Sequence, residues 1–169
     1  MPTKPEILAP VGGRPQLAAA MHAGADAVYF GLSAFNARAR AANFLPEELP
    51  EIVAELHERG VRAFVTLNTL VFDDELAEAE RLARLMVDCK VDAAIVQDLG
   101  LAALLRERAP DLPLHGSTQM TVTSAESADL VAGLGLRRIV LGRELSLREI
   151  AAVASATPLP VIGVPVPLA

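Results

Sequence analysis

The stretch LHGSTQM, residues 114–120, ends an apolar approach at Leu114 and then crowds His115, Ser117, Thr118 and Gln119 together. The same pattern recurs wherever a short apolar run stops. Gly31 and Ser33 follow one run, Asn68 and Thr69 another, Gln97 and Asp98 a third, and Gly142, Arg143 and Glu144 a fourth. Asn68, Gln97 and Gln119 carry donors and acceptors that can orient a ligand, and Arg143 can anchor an anion. Glu144 and His115 are the candidate catalytic residues; an imidazole has an ordinary pKa of ~6.5, well matched to neutral pH. Each also has a plainer reading. His115 can bond a neighbouring strand end, and Arg143 with Glu144 can form an ion pair that orients their own loop.

The segment AFNARARAANF, residues 34–44, is irregular and holds Arg38, Arg40 and Asn43 among small residues. Loops of this length are often functional. Two arginines one residue apart can clamp a carboxylate or phosphate, so these three join Asn68, Gln97, Gln119 and Arg143 as substrate-binding candidates. A short helix with a solvated basic face is the other reading. The VGG turn at residues 11–13 can offer backbone N–H groups to an anion. Ser117 and His115 do not make a hydrolase pair, because neighbours on one strand face do not bond end to end. No G-x-S-x-G, H-E-x-x-H or P-loop occurs. His22 and His57 fall in helical patterns, solvated or half-buried. Cys89 lies in LARLMVDCKV and reads as a small packing residue. A single cysteine excludes an intrachain disulfide and any Cys-rich metal site built by this chain alone, and no metal ligands are assigned.

These residues need elements to hold them. Strands are predicted at Ile7–Ala9, Ala27–Phe30, Ala63–Leu67, Ala93–Val96, Leu114–Ser117, Arg138–Leu141 and Val161–Val164. Helices are predicted at Pro15–Ala23, Pro46–Arg59, Asp74–Asp88, Gly100–Arg108, Ser124–Leu134 and Leu147–Ala154. The strand runs are almost continuously apolar, as for a parallel sheet covered on both faces. Asp74 and Ser146 are N-cap types, and Gly60 can close its helix with positive φ. A phrase recurs before the strands: HAGADAVYFG, HERGVRAFVT, VDCKVDAAIVQ and VAGLGLRRIVLG. Each is a helix end, a tight turn and a strand, the rhythm of βα units. The expected fold class is α/β, a parallel (β/α) TIM-type barrel left incomplete at about seven strands and six helices, in one domain over 1–169 with a Pro-rich tail over 157–169. A doubly wound sheet is the rival, but APVGGRPQ lacks its G-x-G-x-x-G turn. In a barrel of this type the ligand site gathers at the C-terminal strand ends, where the polar residues fall. Alternation puts His115 and Ser117 on one face of strand five, and Gly116 lets a helix or backbone come close on the other.

Composition narrows the functions. The chain has 169 residues, 52% hydrophobic, enough for one cored domain. With 4% aromatics and no Trp, the core must be built of Ala, Leu and Val. A net charge of −6 argues against bulk electrostatic binding to nucleic acid or membrane, leaving local Arg clusters. No signal layout or membrane-length apolar run is present, and a reducing, cytoplasmic setting fits.

The segments EILAPVGGRPQLAAAMHAGADAVYFG, FNARARAANF, GVRAFVTLNTLV, VDAAIVQDLG, LPLHGSTQMTVTS and LRRIVLGRELSLREI together resemble the N-terminal part of the peptidase U32 family, also called collagenase-like proteases. The resemblance runs from about Glu6 to Ile150. It implies a TIM-type barrel and an activity that is either proteolytic or an oxygen-independent hydroxylation of tRNA uridine, ribosomal RNA cytidine or a ubiquinone precursor. It further implies RNA as a partner, prephenate as hydroxyl source for the RNA enzymes, and an iron–sulfur cluster held by cysteines beyond strand seven. Here the chain departs from the family: TPLPVIGVPVPLA stands where a strand resembling E-V-F-V-H-G-A and the cysteine region are expected. The expectation is therefore a truncated barrel segment with no cofactor of its own, inactive alone in cluster chemistry. Its mouth would take a small anionic or nucleotide-like substrate. Alternatively it is a non-catalytic module completed by a homo-oligomer or a partner chain, since an open barrel exposes edge strands.

Overall fold

A computed structural model describes residues 5–37, 43–157 and 159. Among the described residues are six strands: β1 (Leu8–Pro10), β2 (Ala27–Gly31), β3 (Arg62–Leu67), β4 (Ala93–Val96), β5 (Leu114–Gly116) and β6 (Arg138–Ile139). Six helices alternate with them: α1 (Arg14–His22), α2 (Leu49–Glu58), α3 (Leu76–Asp88), α4 (Leu99–Arg108), α5 (Ala125–Gly133) and α6 (Leu147–Ala156). The strands form one sheet in sequence order, and every neighbouring pair is parallel. The sheet curls into a half-barrel. Glu6, two residues before β1, reaches Arg138 of β6 at 3.0 Å although β1 and β6 do not pair. The predicted seventh strand, Val161–Val164, lies outside the described residues, as does nearly all of the Pro-rich tail.

The two faces of the sheet differ. Val28, Phe30, Val65, Leu67, Ala94, Val96, Leu114 and Ile139 point outward into the main core beneath the helices. Helices α2 and α3 meet that core with Leu49, Ile52, Val53 and Leu56, and with Ala79, Leu82, Ala83 and Met86. Both sets follow the i, i+3, i+4, i+7 spacing of one helical face. The concave face carries a smaller cluster of Ala27, Phe64, Ala93 and Ile95, with Leu8 and Tyr29 against it. Two alanines around one phenylalanine suit the narrow interior of a curled sheet.

Several boundaries differ from expectation. The helix foreseen from Pro46 starts as a 3-10 turn, Pro46–Glu48, before α2. Asp74 does not cap α3; it lies inside a 3-10 turn, Asp73–Glu75, and the Glu75 carboxylate turns back to accept from the Phe72 N–H at 2.9 Å. The tighter turn satisfies the backbone that a cap would otherwise serve. Ser146 does cap α6, reciprocally with Glu149: Glu149 accepts from the Ser146 N–H at 2.8 Å, and the Ser146 hydroxyl accepts from the Glu149 N–H at 3.4 Å. Gly116 admits side chains rather than backbone: a Cβ there would sit 3.1 Å from Leu136 and 3.2 Å from Ile139.

The repeated helix-end turn explains itself in backbone angles. Gly24, Gly60 and Gly135 all have positive φ, and Lys90 occupies the equivalent place with φ 59°. A side chain in that left-handed conformation costs roughly 1–2 kcal/mol that glycine avoids. Lys90→Gly is therefore expected to raise stability by about 0.5–1 kcal/mol in urea unfolding; a neutral or destabilising result would contradict the strain at this turn.

Candidate functional site

The register carries the rim. Leu67 pairs with Val96, and Val96 with Gly116. Asn68, Gln97 and Ser117, each one residue further on, thus follow neighbouring strand ends. The Asn68 side chain joins two loops. Its Nδ2 donates to Gln119 Oε1 at 3.1 Å, and its Oδ1 accepts from the Ala37 N–H at 3.2 Å. Beside it, Thr66 Oγ1 donates to Asn36 Oδ1 and to the Phe30 carbonyl, each at 3.2 Å, and Asn36 Nδ2 donates to Asn43 Oδ1 at 2.6 Å. Asn36 is buried and lies directly over Gly31, where an added Cβ would come within 1.8 Å of its Nδ2. A glycine at this strand end is the space into which Asn36 folds. The cleft enclosed by Val11, Gly12, Gly31, Asn36, Thr66 and Asn68 is about 30 Å³, roughly one water's share of liquid volume. Phe35 and Thr121, both at φ 55°, sit in the two loops that Asn68 joins. Left-handed non-glycine residues of this kind cluster at ligand-holding loops.

Beneath the rim the interior is charged. His115 is 9% exposed and meets the Phe64 ring edge-on at 4.9 Å. The Arg62 and Arg138 guanidiniums lie 5.7 and 5.9 Å from the centre of that ring, and both bond Glu6. Burial, then the positive charges of Arg138 and Arg62, push the His115 pKa down to about 4, with Glu6 pulling the other way. The imidazole is neutral at pH 7. Partial burial raises the Glu6 carboxyl, but hydrogen bonds from Arg62 and Arg138 outweigh it and leave the group below its ordinary range.

The structure gathers some predicted site residues and spreads others. Asn68 and Gln119 touch, Gln97 is half-buried on the intervening strand end, and Asn43 binds Asn36. His115 sits inside the half-barrel below them. Arg143 and Glu144 are exposed beyond β6 and form no ion pair with each other, contrary to that reading of the pair; the Glu144 carboxylate instead folds back over Gly142, 2.9 Å from where a Cβ would stand. Arg38 and Arg40 lie outside the described residues. Asp98, at a strand end, caps α4 by accepting from the Leu101 N–H at 2.8 Å. Ser117 accepts from the Gln119 N–H at 3.3 Å. His57 pairs with Asp92 at 2.9 Å, away from the rim. Asn36 was not among the predicted site residues; the available signal was Gly31 at a strand end five residues earlier. A larger groove of about 550 Å³ opens on the outer surface, lined by Val53, His57, Leu85 and Cys89 among others. Burial, then the Asp88 charge, push the Cys89 thiol up, away from the reactive thiolate.

Residues 12–162 match the family described as Peptidase family U32. The 23S rRNA 5-hydroxycytidine C2501 synthase of Escherichia coli is 41% identical over 152 residues, 90% of this chain and 23% of that protein. The tRNA hydroxylation protein P of Escherichia coli is 34% identical, over 92% of this chain and 34% of that protein. A collagenase of Porphyromonas gingivalis is also 34% identical, over 86% of this chain and 34% of that protein. The chain thus spans 23–34% of these relatives' length. The solved U32 peptidase Mk0906 superimposes with a TM-score of 0.75 at 18% identity, covering 95% of this chain and 68% of that one, a likeness of fold. No helix among the described residues is long and apolar enough to cross a membrane.

Two outcomes follow from the geometry. Because the folded pKa of His115 lies below the unfolded value of ~6.5, the unfolded state takes up the proton first. Stability is full above about pH 6.5 and falls as pH drops toward 4, by on the order of 3 kcal/mol from this group. Urea unfolding across that range checks this, and His115→Phe is expected to flatten the slope. Gly31→Ala forces Asn36 out of its seat and is expected to cost about 1–3 kcal/mol, with the Asn36 and Asn43 side-chain amide resonances shifting together in NMR spectra; unchanged amides would refute the coupling.

Proposed function

The chain belongs to the peptidase U32 family, and from that premise we propose that its strand-end rim binds a nucleotide-like, anionic segment of RNA. The rim would position that segment for hydroxylation by the complete protein. The observation that supports this most is the Asn68–Gln119 hydrogen bond, which holds carboxamides from two strand ends together at 3.1 Å. Such amides can turn their donors and acceptors to the edge of an unstacked base. In this reading Asn68, Gln97 and Gln119 orient the base and Asn43 holds the adjoining loop through Asn36. Arg38, Arg40 and Arg143 pair with phosphates. The small cleft below Asn68 admits no nucleotide, so the ligand lies above it on the rim. Glu144, an exposed carboxylate beyond β6, and His115, neutral inside the half-barrel, are the candidate catalytic groups in this reading. A net charge of −6 confines RNA contact to this local patch.

An iron–sulfur cluster does not fit the residues present. Clusters of this kind take four thiolates, and the chain has one cysteine. Cys89 stands at the C-terminal end of α3, which runs back against the strands and ends opposite the rim. No group of three or more His, Cys, Asp or Glu among the described residues could hold a metal.

A second reading, a partner-completed barrel, is favoured by one observation. Among the described residues β1 and β6 are the outermost strands of the sheet and carry partly exposed positions, whereas β4 and β5 are buried throughout. Edges of this kind invite pairing.

Fluorescence anisotropy with a short single-stranded RNA tests the first reading. Asn68→Ala and Gln119→Ala are each expected to weaken binding about tenfold, and Arg143→Ala to lower the salt slope by about 1. RNA binding that ignores all three substitutions, or cleavage of gelatin without RNA binding, would reject it. A concentration-dependent mass above the monomer in sedimentation would instead support the second.

A further inference from the structure

We propose that the margin of the rim over α2, α3 and α4 docks a partner protein through a basic amphipathic helix. Among the described residues seven large hydrophobic side chains are exposed. Four of them, Leu45, Leu70, Phe72 and Leu99, stand where the chain leaves β2, β3 and β4 and starts the next helix. Helices packed side by side lie about 8–10 Å apart, so three consecutive helix starts form an arc of roughly 20 Å.

These side chains do little inside the molecule. A hydrophobic residue before a helix ordinarily folds onto the first turns, yet Leu45 and Phe72 are 53% and 68% exposed. Of the five phenylalanines, Phe30, Phe44 and Phe64 are buried and Phe35 packs against the core, which sets Phe72 apart. The backbone at both places is fixed in the same way. The Glu48 carboxylate accepts from the Leu45 N–H at 2.8 Å, and the Glu75 carboxylate from the Phe72 N–H at 2.9 Å. In return the Leu45 and Phe72 carbonyls accept from the Glu48 and Glu75 N–H groups at 3.0 and 2.9 Å. Val71 packs against the core between Leu70 and Phe72. A partner that covers these side chains therefore has little backbone to order. Positions that start a helix favour Ser, Thr, Asp or Asn, so local stability does not account for a leucine and a phenylalanine there.

Charge selects the occupant. Residues 43–55 hold four acids and residues 68–80 hold five, and neither stretch has a Lys or Arg. Arg14 of α1 bonds Glu48, Glu51 and Glu55. Asp73 and Asp74, exposed next to Phe72, form no ion pair among the described residues. Such a margin repels phosphates, and a second copy would set the same acids against each other. Apolar anchors along one helical face, with Lys or Arg beside them, match both the exposed side chains and the acids. A helix of about 14 residues spans the arc. Docking here does not depend on what the Asn68 and Gln119 amides bind.

The probe is a fluorescein-labelled helix of about 14 leucines and lysines, with its leucines on one face, titrated with the whole chain by anisotropy. Phe72→Ser and Leu45→Ser are each expected to weaken binding about tenfold without lowering the thermal midpoint, since serine is itself a capping residue. Asp73→Asn with Asp74→Asn should weaken it about threefold and reduce its salt dependence. Leu130→Ser, at an exposed leucine of α5, should leave it unchanged. Binding that ignores Phe72→Ser, or that falls equally with Leu130→Ser, overturns the proposal. So does equal binding of a scrambled peptide of the same composition. Two other occupants would also overturn it. A single-stranded RNA that loses affinity in Phe72→Ser, with no peptide bound, would assign the ring to base stacking. A dimer mass in sedimentation that Phe72→Ser abolishes would assign the margin to a second copy.

Discussion

Parallel pairing in strict chain order is the constraint from which the rest of this molecule follows. A parallel neighbour can be reached only through a crossover, so every strand must be followed by a helix that returns the chain to the same starting end. Five such pairings in succession put every strand's C-terminal end on one side and every helix's C-terminal end on the other. Buried strands spend their backbone donors and acceptors on each other, and their side chains must be apolar on both faces. Polar side chains are then admitted mainly at the ends. The rim is thus a consequence of sheet geometry before it is a site for any ligand.

The concave face shows what curling demands. Small residues, Ala27 and Ala93, leave room for Phe64, and the aromatic ring in turn supports two guanidiniums and one imidazole. The low dielectric around the ring raises the cost of a third positive charge, which is why His115 stays neutral at pH 7. Charge at the end opposite the rim and uncharged amides at the rim divide the interior into two zones. The lower zone is held by ions, and the upper zone by hydrogen bonds whose donors and acceptors can be exchanged for those of a ligand.

Elements were more legible in the sequence than contacts. All six described strands begin at their expected positions or within one residue of them, because continuous apolar runs bounded by Gly, Pro and charged residues leave few alternatives. The Asp74 cap was misplaced because a 3-10 turn and an α-helix start share the same acidic residues, and only the backbone path separates them. Asn68 and Gln119 were both expected on the rim, yet their contact across 51 positions was not readable. Asn36 was overlooked for a related reason. Its role depends on the empty side of Gly31, and a glycine does not announce which side chain will fill its space.

By itself the sequence determined the alternation of elements, the opposite facing of Leu114 and His115 on the fifth strand, and the end at which polar groups collect. These are set by periods of two and 3.6 residues and by local turn chemistry, which act within a few positions of one another. Tertiary structure alone decided that Glu6 meets Arg138, that His115 is buried beside two arginines, and that Asn68 joins two loops. Those contacts depend on how far the sheet curls and on the stagger between strands, and both are summed over the whole sheet rather than written in any one segment.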